Sequence, residues 1–188
     1  CAPAEDPEVA DKLGQIGVRF HRMDVDRTGV NPLGDLGYLL RLIRFMRRER
    51  PDKVLSFSSK PIIWAALAAC FSKGAESYSV VTGLGYAFSG DSARQRMLSA
   101  VTKFLYRISV RFNKGIFFQN PDDAAMFRAA SIVPRSGKEV LVGGSGVDVE
   151  RFQPAPLPEN PTFLLIARLV KEKGIYEYVE AARALKSR

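Results

Sequence analysis

The sequence predicts an α/β protein built on a doubly wound parallel sheet. Three observations carry that prediction. Short apolar runs alternate with amphipathic helical segments along the chain, the pattern of strands joined by helical crossovers. Residues 163–167 are all apolar and are bounded by Pro161 and Arg168, as in a strand covered on both faces. After Gly174 the apolar residues Ile175, Tyr178, Val179, Ala182 and Leu185 recur at helical spacing.

The chain of 188 residues is long enough for one large domain or two small ones, and 46% hydrophobic residues supply a core. No apolar run reaches the length of a membrane span, and the apolar helix at residues 62–71 is too short. No signal segment opens the chain. Cys1 and Cys70 form neither a metal spacing nor a disulfide framework, which fits a reducing compartment. His21 is the only histidine, so a histidine-based triad would have to use it; on a strand it reads as structural. The net charge of +8 suits a polyanionic partner: nucleic acid, anionic lipid or a phosphorylated substrate.

Taken in order, residues 7–15 predict a short helix with Asp6 as its N-cap and Gly14 or Gly17 near its end. Residues 18–25 alternate and predict a strand, followed by the turn-rich Asp26-Arg27-Thr28-Gly29-Val30-Asn31-Pro32. Residues 33–50 predict a strongly amphipathic helix, stopped by Pro51. Leu36, Leu39, Leu40, Ile43 and Met46 form its expected buried stripe. Arg41, Arg44 and Arg48 form the other face, either a solvated surface or a membrane-facing one.

Residues 54–57 predict a strand that feeds Ser58-Ser59-Lys60-Pro61 and a helix from 61 to about 71. Pro61 is expected at the first helical position, with Ser59 or Lys60 in the cap region. Residues 77–81 predict the next strand, followed by Thr82-Gly83-Leu84-Gly85. A long helix is expected at 93–112, with Met97, Val101, Phe104, Leu105, Ile108 and Phe112 buried and Arg96, Lys103, Arg107 and Arg111 on the other side. No acid occurs between Asp91 and Asp122. Residues 115–118 predict a strand. Asn120 then caps a helix with Pro121 at its first position and Asp122 and Asp123 in its first turn. A last strand is expected at 139–142. Prolines 154, 156, 158 and 161 mark a stiff interdomain linker.

Ligands of open α/β sheets gather at the carboxyl ends of the strands, beside helix N-termini. Arg27, Lys60, Gly83, Gly85, Arg168 and Lys173 all fall after expected strands. Arg168 and Lys173 suit a diphosphate, one as a planar fork and one as a point charge. Solvated loop cations, ordinary capping and plain turns account for the same residues, and the residue pattern alone leaves both readings open.

Several of these stretches together resemble the family 4 glycosyltransferases of the GT-B fold. They are Arg168 and Lys173, preceded by Gly144-Ser145-Gly146-Val147-Asp148 and Arg151-Phe152. Arg27-Thr28-Gly29-Val30-Asn31-Pro32, Ser59-Lys60-Pro61, Thr82-Gly83-Leu84-Gly85-Tyr86-Ala87-Phe88 and Phe118-Gln119-Asn120-Pro121-Asp122-Asp123 resemble the branch that extends polyprenyl-diphosphate-linked glycans. The resemblance covers essentially the whole chain.

It implies an acceptor-side Rossmann-like domain at 1–143, a linker at 144–160 and the start of a donor-binding domain at 161–188. The family's first strand and glycine-rich loop would precede Cys1. Its paired catalytic glutamates would lie beyond Arg188, so the chain is expected to be an internal piece of a longer enzyme, inactive alone.

The resemblance further implies a retaining transfer from a nucleotide-diphosphate sugar to a lipid-linked saccharide in polysaccharide or glycan biosynthesis. Arg168 and Lys173 would bind the donor diphosphate. Arg27, Lys60, Gly83 and Gly85 would lie on the acceptor side. No metal or cofactor is expected. The enzyme would sit peripherally on the inner face of the cytoplasmic membrane, against anionic lipid and without nucleic acid. The alternative is a non-catalytic basic module that binds anionic membrane. No Gly-x-Gly-x-x-Gly opens a strand–helix unit and no Gly-Lys-Ser phosphate motif occurs, which argues against dinucleotide oxidoreductases and nucleotide hydrolases.

Overall fold

A computed structural model describes residues 1, 7–26, 31–83, 92–133, 139–167, 169 and 173–186. The chain divides into two compact units, Cys1–Gly146 and Val147–Arg188. In the first unit the elements follow in order as α1 (Pro7–Gln15), α2 (Pro32–Glu49), β1 (Lys53–Phe57), α3 (Ser59–Cys70), β2 (Glu76–Val81), α4 (Ala93–Ser109), β3 (Asn113–Phe118), α5 (Pro121–Ala129) and β4 (Glu139–Leu141). The second unit holds α6 (Ile175–Lys186).

The predicted parallel α/β sheet is present. Its four strands lie in the order β1-β2-β3-β4, all parallel. The main core gathers Ile62 and Ile63 of α3, Val81, Ile116 and Phe118 of the sheet, Tyr106 and Val110, and Ala124 and Phe127 of α5. Phe127 takes Tyr106 and Phe118 edge-on, at ring-centroid distances of 5.1 and 5.2 Å, a favoured aromatic geometry. On the same sheet face runs a polar row. Ser56 Oγ donates to Tyr78 O at 3.2 Å and lies 3.3 Å from Ser79 Oγ, which accepts from Asn113 Nδ2 at 2.7 Å. Ser56 and Ser79 of this row are 5% and 0% exposed, so their hydroxyls are paired in the interior. On the other face, Leu55, Phe57, Tyr78, Val80 and Phe117 line an open groove of about 630 Å³.

The expected cap of α5 forms, and α4 opens on a cap that the sequence analysis does not anticipate. Asn120 Oδ1 accepts from Asp123 N at 2.7 Å, with Pro121 at the first position of α5. Ser92 and Gln95 form a reciprocal capping box at the start of α4. Helix α3 departs from expectation. It begins at Ser59, two residues before Pro61, and its N-cap is Ser58 in a positive-φ conformation (φ 69°) with no side-chain cap bond.

Two predicted strands do not form. Residues 18–25 carry a single bridge, at Arg22. Their alternation is real, but Met23 and Val25 spend it packing against the α2–α3 cluster of Tyr38, Leu42, Met46, Ala65, Ala68 and Ala69 rather than in a ladder. His21 lies edge-on to Phe45 at 4.9 Å, a structural contact. Residues 163–167 also pair with no strand, and Leu164 and Ile166 stand 79% and 86% exposed. An apolar run becomes a buried strand only where neighbours supply a ladder and covering layers.

The helical stripes match their expected faces only in part: Leu39, Ile43 and Met46 of α2 and Leu105 of α4 reach the cores as expected. In α2 the buried residues are Asp35, Tyr38, Leu42 and Met46, while Leu36 and Leu40 are exposed. In α4 the buried side carries Tyr106 and Ser109, while Met97, Val101 and Phe104 face solvent. The α-helix ends at Ser109 and a 3-10 turn, Val110–Phe112, completes the predicted length.

Candidate functional site

The parallel register defines the edge at which ligands of such sheets gather. Phe57 pairs with Val80, Val80 with Phe117, and Phe117 with Val140, so these four stand side by side. Three residues beyond each come Lys60, Gly83, Asn120 and Gly143. The sheet thus brings two predicted site residues, Lys60 and Gly83, past the carboxyl ends of adjacent strands.

Lys60 sits in the first turn of α3, where free backbone N–H groups point out of the helix. Its ammonium donates to Asp35 Oδ1 at 2.9 Å, with the two side chains 19% and 12% exposed. Asp35 lies in the first turn of α2, whose N-cap Asn31 accepts from Gly34 N at 3.1 Å. Nothing in the spacing of residues 33–50 singles out Asp35, because its partner is 25 positions away in another helix. A carboxylate on an otherwise inward helix face was the available signal.

Gly83 follows β2 with φ +149°, a backbone state that side chains strain. Nothing lies within 4 Å of where its Cβ would be, so the requirement is conformational. At β3 the edge carries Gln119, whose Nε2 donates to Ser145 Oγ at 2.7 Å and ties the β3 exit to the segment after β4. Beneath the edge, Tyr106 hydrogen-bonds the Ser59 side chain, and burial pushes its phenol up to about 12. Sequence reasoning missed the Gln119–Ser145 and Tyr106–Ser59 contacts, which also join distant segments.

Arg27, Gly85 and Arg168 lie outside the described residues, as does the Asp6 cap. Lys173 is exposed, just before Gly174 (φ +70°) and α6. In its unit, Tyr178 Oη donates to Phe163 O at 2.8 Å and Asp148 Oδ1 accepts from the backbone N–H groups of Glu150 and Arg151. Among the described residues, no cluster of three His, Cys, Asp or Glu side chains could hold a metal ion, and no helix is long and apolar enough to cross a membrane.

The arginines of α2 are largely committed to structure. Arg41 donates to Asp24 O at 3.0 Å and Arg47 donates to Phe71 O at 3.2 and 3.3 Å. Arg48 pairs with Glu49 at 2.8 Å.

The family model for glycosyl transferase 4-like proteins matches residues 2–120, more than half of the chain. The chain belongs to this glycosyl transferase 4-like family. The match spans the edge residues Lys60, Gly83 and Asn120 together. The chain is also similar to an N,N'-diacetylbacillosaminyl-diphospho-undecaprenol alpha-1,3-N-acetylgalactosaminyltransferase of Campylobacter jejuni subsp. jejuni serotype O:2. The two are 23% identical, over 96% of this chain and 51% of the relative. The chain therefore spans about half the length of that relative.

Proposed function

We propose that the full-length protein is a glycosyltransferase that moves a sugar from a nucleotide-diphosphate donor to a polyprenyl-diphosphate-linked saccharide. The observation that carries this reading is the similarity, along nearly the whole chain, to a relative named for a diphospho-undecaprenol acceptor. The carboxyl edge of the sheet, with Lys60 and the positive-φ Gly83, supports an acceptor site there.

In this reading the bond between the anomeric carbon and the donor diphosphate breaks, and its electrons leave with the nucleoside diphosphate. An acceptor hydroxyl oxygen forms the new glycosidic bond and gives up its proton. Arg168 and Lys173 neutralise the diphosphate as charge develops on it. These two cations supply the countercharge, so the reading requires no metal or cofactor. Arg27 and Gly85 complete the acceptor side. The GT-B architecture, the retained anomeric configuration and the role in surface-glycan biosynthesis rest on the family resemblance. So does a place at the inner face of the cytoplasmic membrane.

The test uses the full-length enzyme with a panel of nucleotide sugars and lipid-linked acceptors. Arg168→Ala and Lys173→Ala should each reduce turnover about a hundredfold, the effect of losing about 3 kcal/mol of transition-state stabilisation. Unchanged turnover in both variants overturns the assignment of the donor site. Absence of transfer with every lipid-linked acceptor overturns the acceptor class.

A further inference from the structure

Among the described residues, three that are not glycine have positive φ: Arg50 (47°), Ser58 (69°) and Ser131 (52°). Two of them close helices. Arg50 is the left-handed C-cap of α2, and its N–H donates to Met46 O at 2.8 Å. Ser131 follows α5, and its N–H donates to Arg128 O at 2.8 Å. Such steps satisfy carbonyls left open at a helix end. Ser58 instead opens helix α3, and its ψ of 155° puts it in a region that suits glycine alone. Backbone strain of this kind gathers at ligand-contacting positions.

The side chain of Ser58 does nothing for the fold that would offset this strain. A serine at an N-cap ordinarily accepts from a backbone N–H of the first turn, and Ser58 does not. Its carbonyl accepts from Ile62 N at 3.0 Å. Its hydroxyl has no hydrogen-bond partner among the described residues, and the residue is exposed. The next two residues are committed to helix partners. Ser59 hydrogen-bonds the buried Tyr106, and Lys60 donates to Asp35 Oδ1 at 2.9 Å. Ser58 therefore leaves one spare hydroxyl just past the carboxyl end of β1, two residues before the sheltered ammonium. A phosphate oxygen, which only accepts, suits that hydroxyl proton and the neighbouring cation together. A sugar hydroxyl would use the first but not the charge. We propose that Ser58 binds the acceptor, its hydroxyl donating to a diphosphate oxygen of the lipid-linked saccharide. This deepens the lipid-linked acceptor reading above and rests on it.

The test combines urea unfolding of the full-length protein with kinetics in which acceptor and donor are varied in turn. Ser58→Gly removes the hydroxyl and the strain, whereas Ser58→Ala removes the hydroxyl alone. Ser58→Gly should raise the urea midpoint and still raise the acceptor KM about tenfold, with the donor KM unchanged. Ser58→Ala should raise the acceptor KM equally without a gain in midpoint. A purely structural role would leave the acceptor KM of the more stable Ser58→Gly unaltered, and that result overturns the proposal. So does a KM increase confined to the donor, which would assign the hydroxyl to the donor diphosphate. Failure of the wild type to use any lipid-linked acceptor overturns the acceptor reading itself, and the proposal with it.

Discussion

Lys60 Nζ lies 2.9 Å from Asp35 Oδ1, joining the first turns of two helices. The pair places one largely sheltered ammonium at the carboxyl edge of the sheet and fixes where it stands. Asp35→Ala should destabilise the protein by about 2 kcal/mol. That is less than a fully buried pair would lose, because Lys60 keeps 19% exposure. Urea unfolding measures it. The double variant Asp35→Ala, Lys60→Ala should lose less than the sum of the two single variants, because each side chain costs most when left alone. Strict additivity would show that the contact carries no energy.

Lys60 also bears on the acceptor. If its ammonium contacts the acceptor diphosphate, Lys60→Ala should raise the acceptor KM about tenfold or more and leave the donor KM unchanged. Steady-state kinetics with each substrate varied in turn makes the distinction. An effect confined to the donor KM would place Lys60 on the wrong side of the reaction.

Tyr106 supplies a pH dependence whose sign is fixed by its burial. Burial raises its phenol from 10.0 to about 12, against the smaller downward pull of the Ser59 hydrogen bond. The folded state thus favours the protonated phenol. Its contribution is complete below pH 10 and is lost as pH rises through about 12, a decline of about 2–3 kcal/mol. Denaturant unfolding at alkaline pH should show that decline in the wild type and a smaller one in Tyr106→Phe. Equal declines in both would assign the alkaline loss to other groups.

Arg107 is a structural cation of α4. Its Nε and Nη2 donate to Ala130 O, at 2.9 and 2.6 Å, tying α4 to the C-terminus of α5. Arg107→Lys keeps the charge but loses the two-nitrogen contact. It should lower stability by about 1 kcal/mol, read as a lower urea midpoint. Arg96→Gln, at an exposed position, should leave the midpoint unchanged.

How much of this was legible in the chain depends on the range of each interaction. Asn120, Pro121 and Asp123 announced a helix start because the cap closes within four residues. The alternation in residues 18–25 predicts a strand, yet Met23 and Val25 pack against a helix cluster, which no local pattern reveals. The α4 stripe was misplaced for a related reason. That helix carries apolar residues on two sides, Met97, Val101 and Phe104 on one and Tyr106 on the other. Periodicity identifies a stripe but not which of two stripes the core takes.

The sequence by itself determined the alternation of helices with the four strands that form, the cap that starts α5, the placement of Lys60 and Gly83 just after strands, and the family. Each rests on neighbours a few residues apart or on motif order. Only the tertiary structure decided that Asp35 holds Lys60, that Gln119 reaches Ser145, and that α4 turns an apolar strip outward. Those outcomes depend on which distant surfaces meet. Burial is won by the face that finds a complementary partner, and no local pattern encodes where that partner lies.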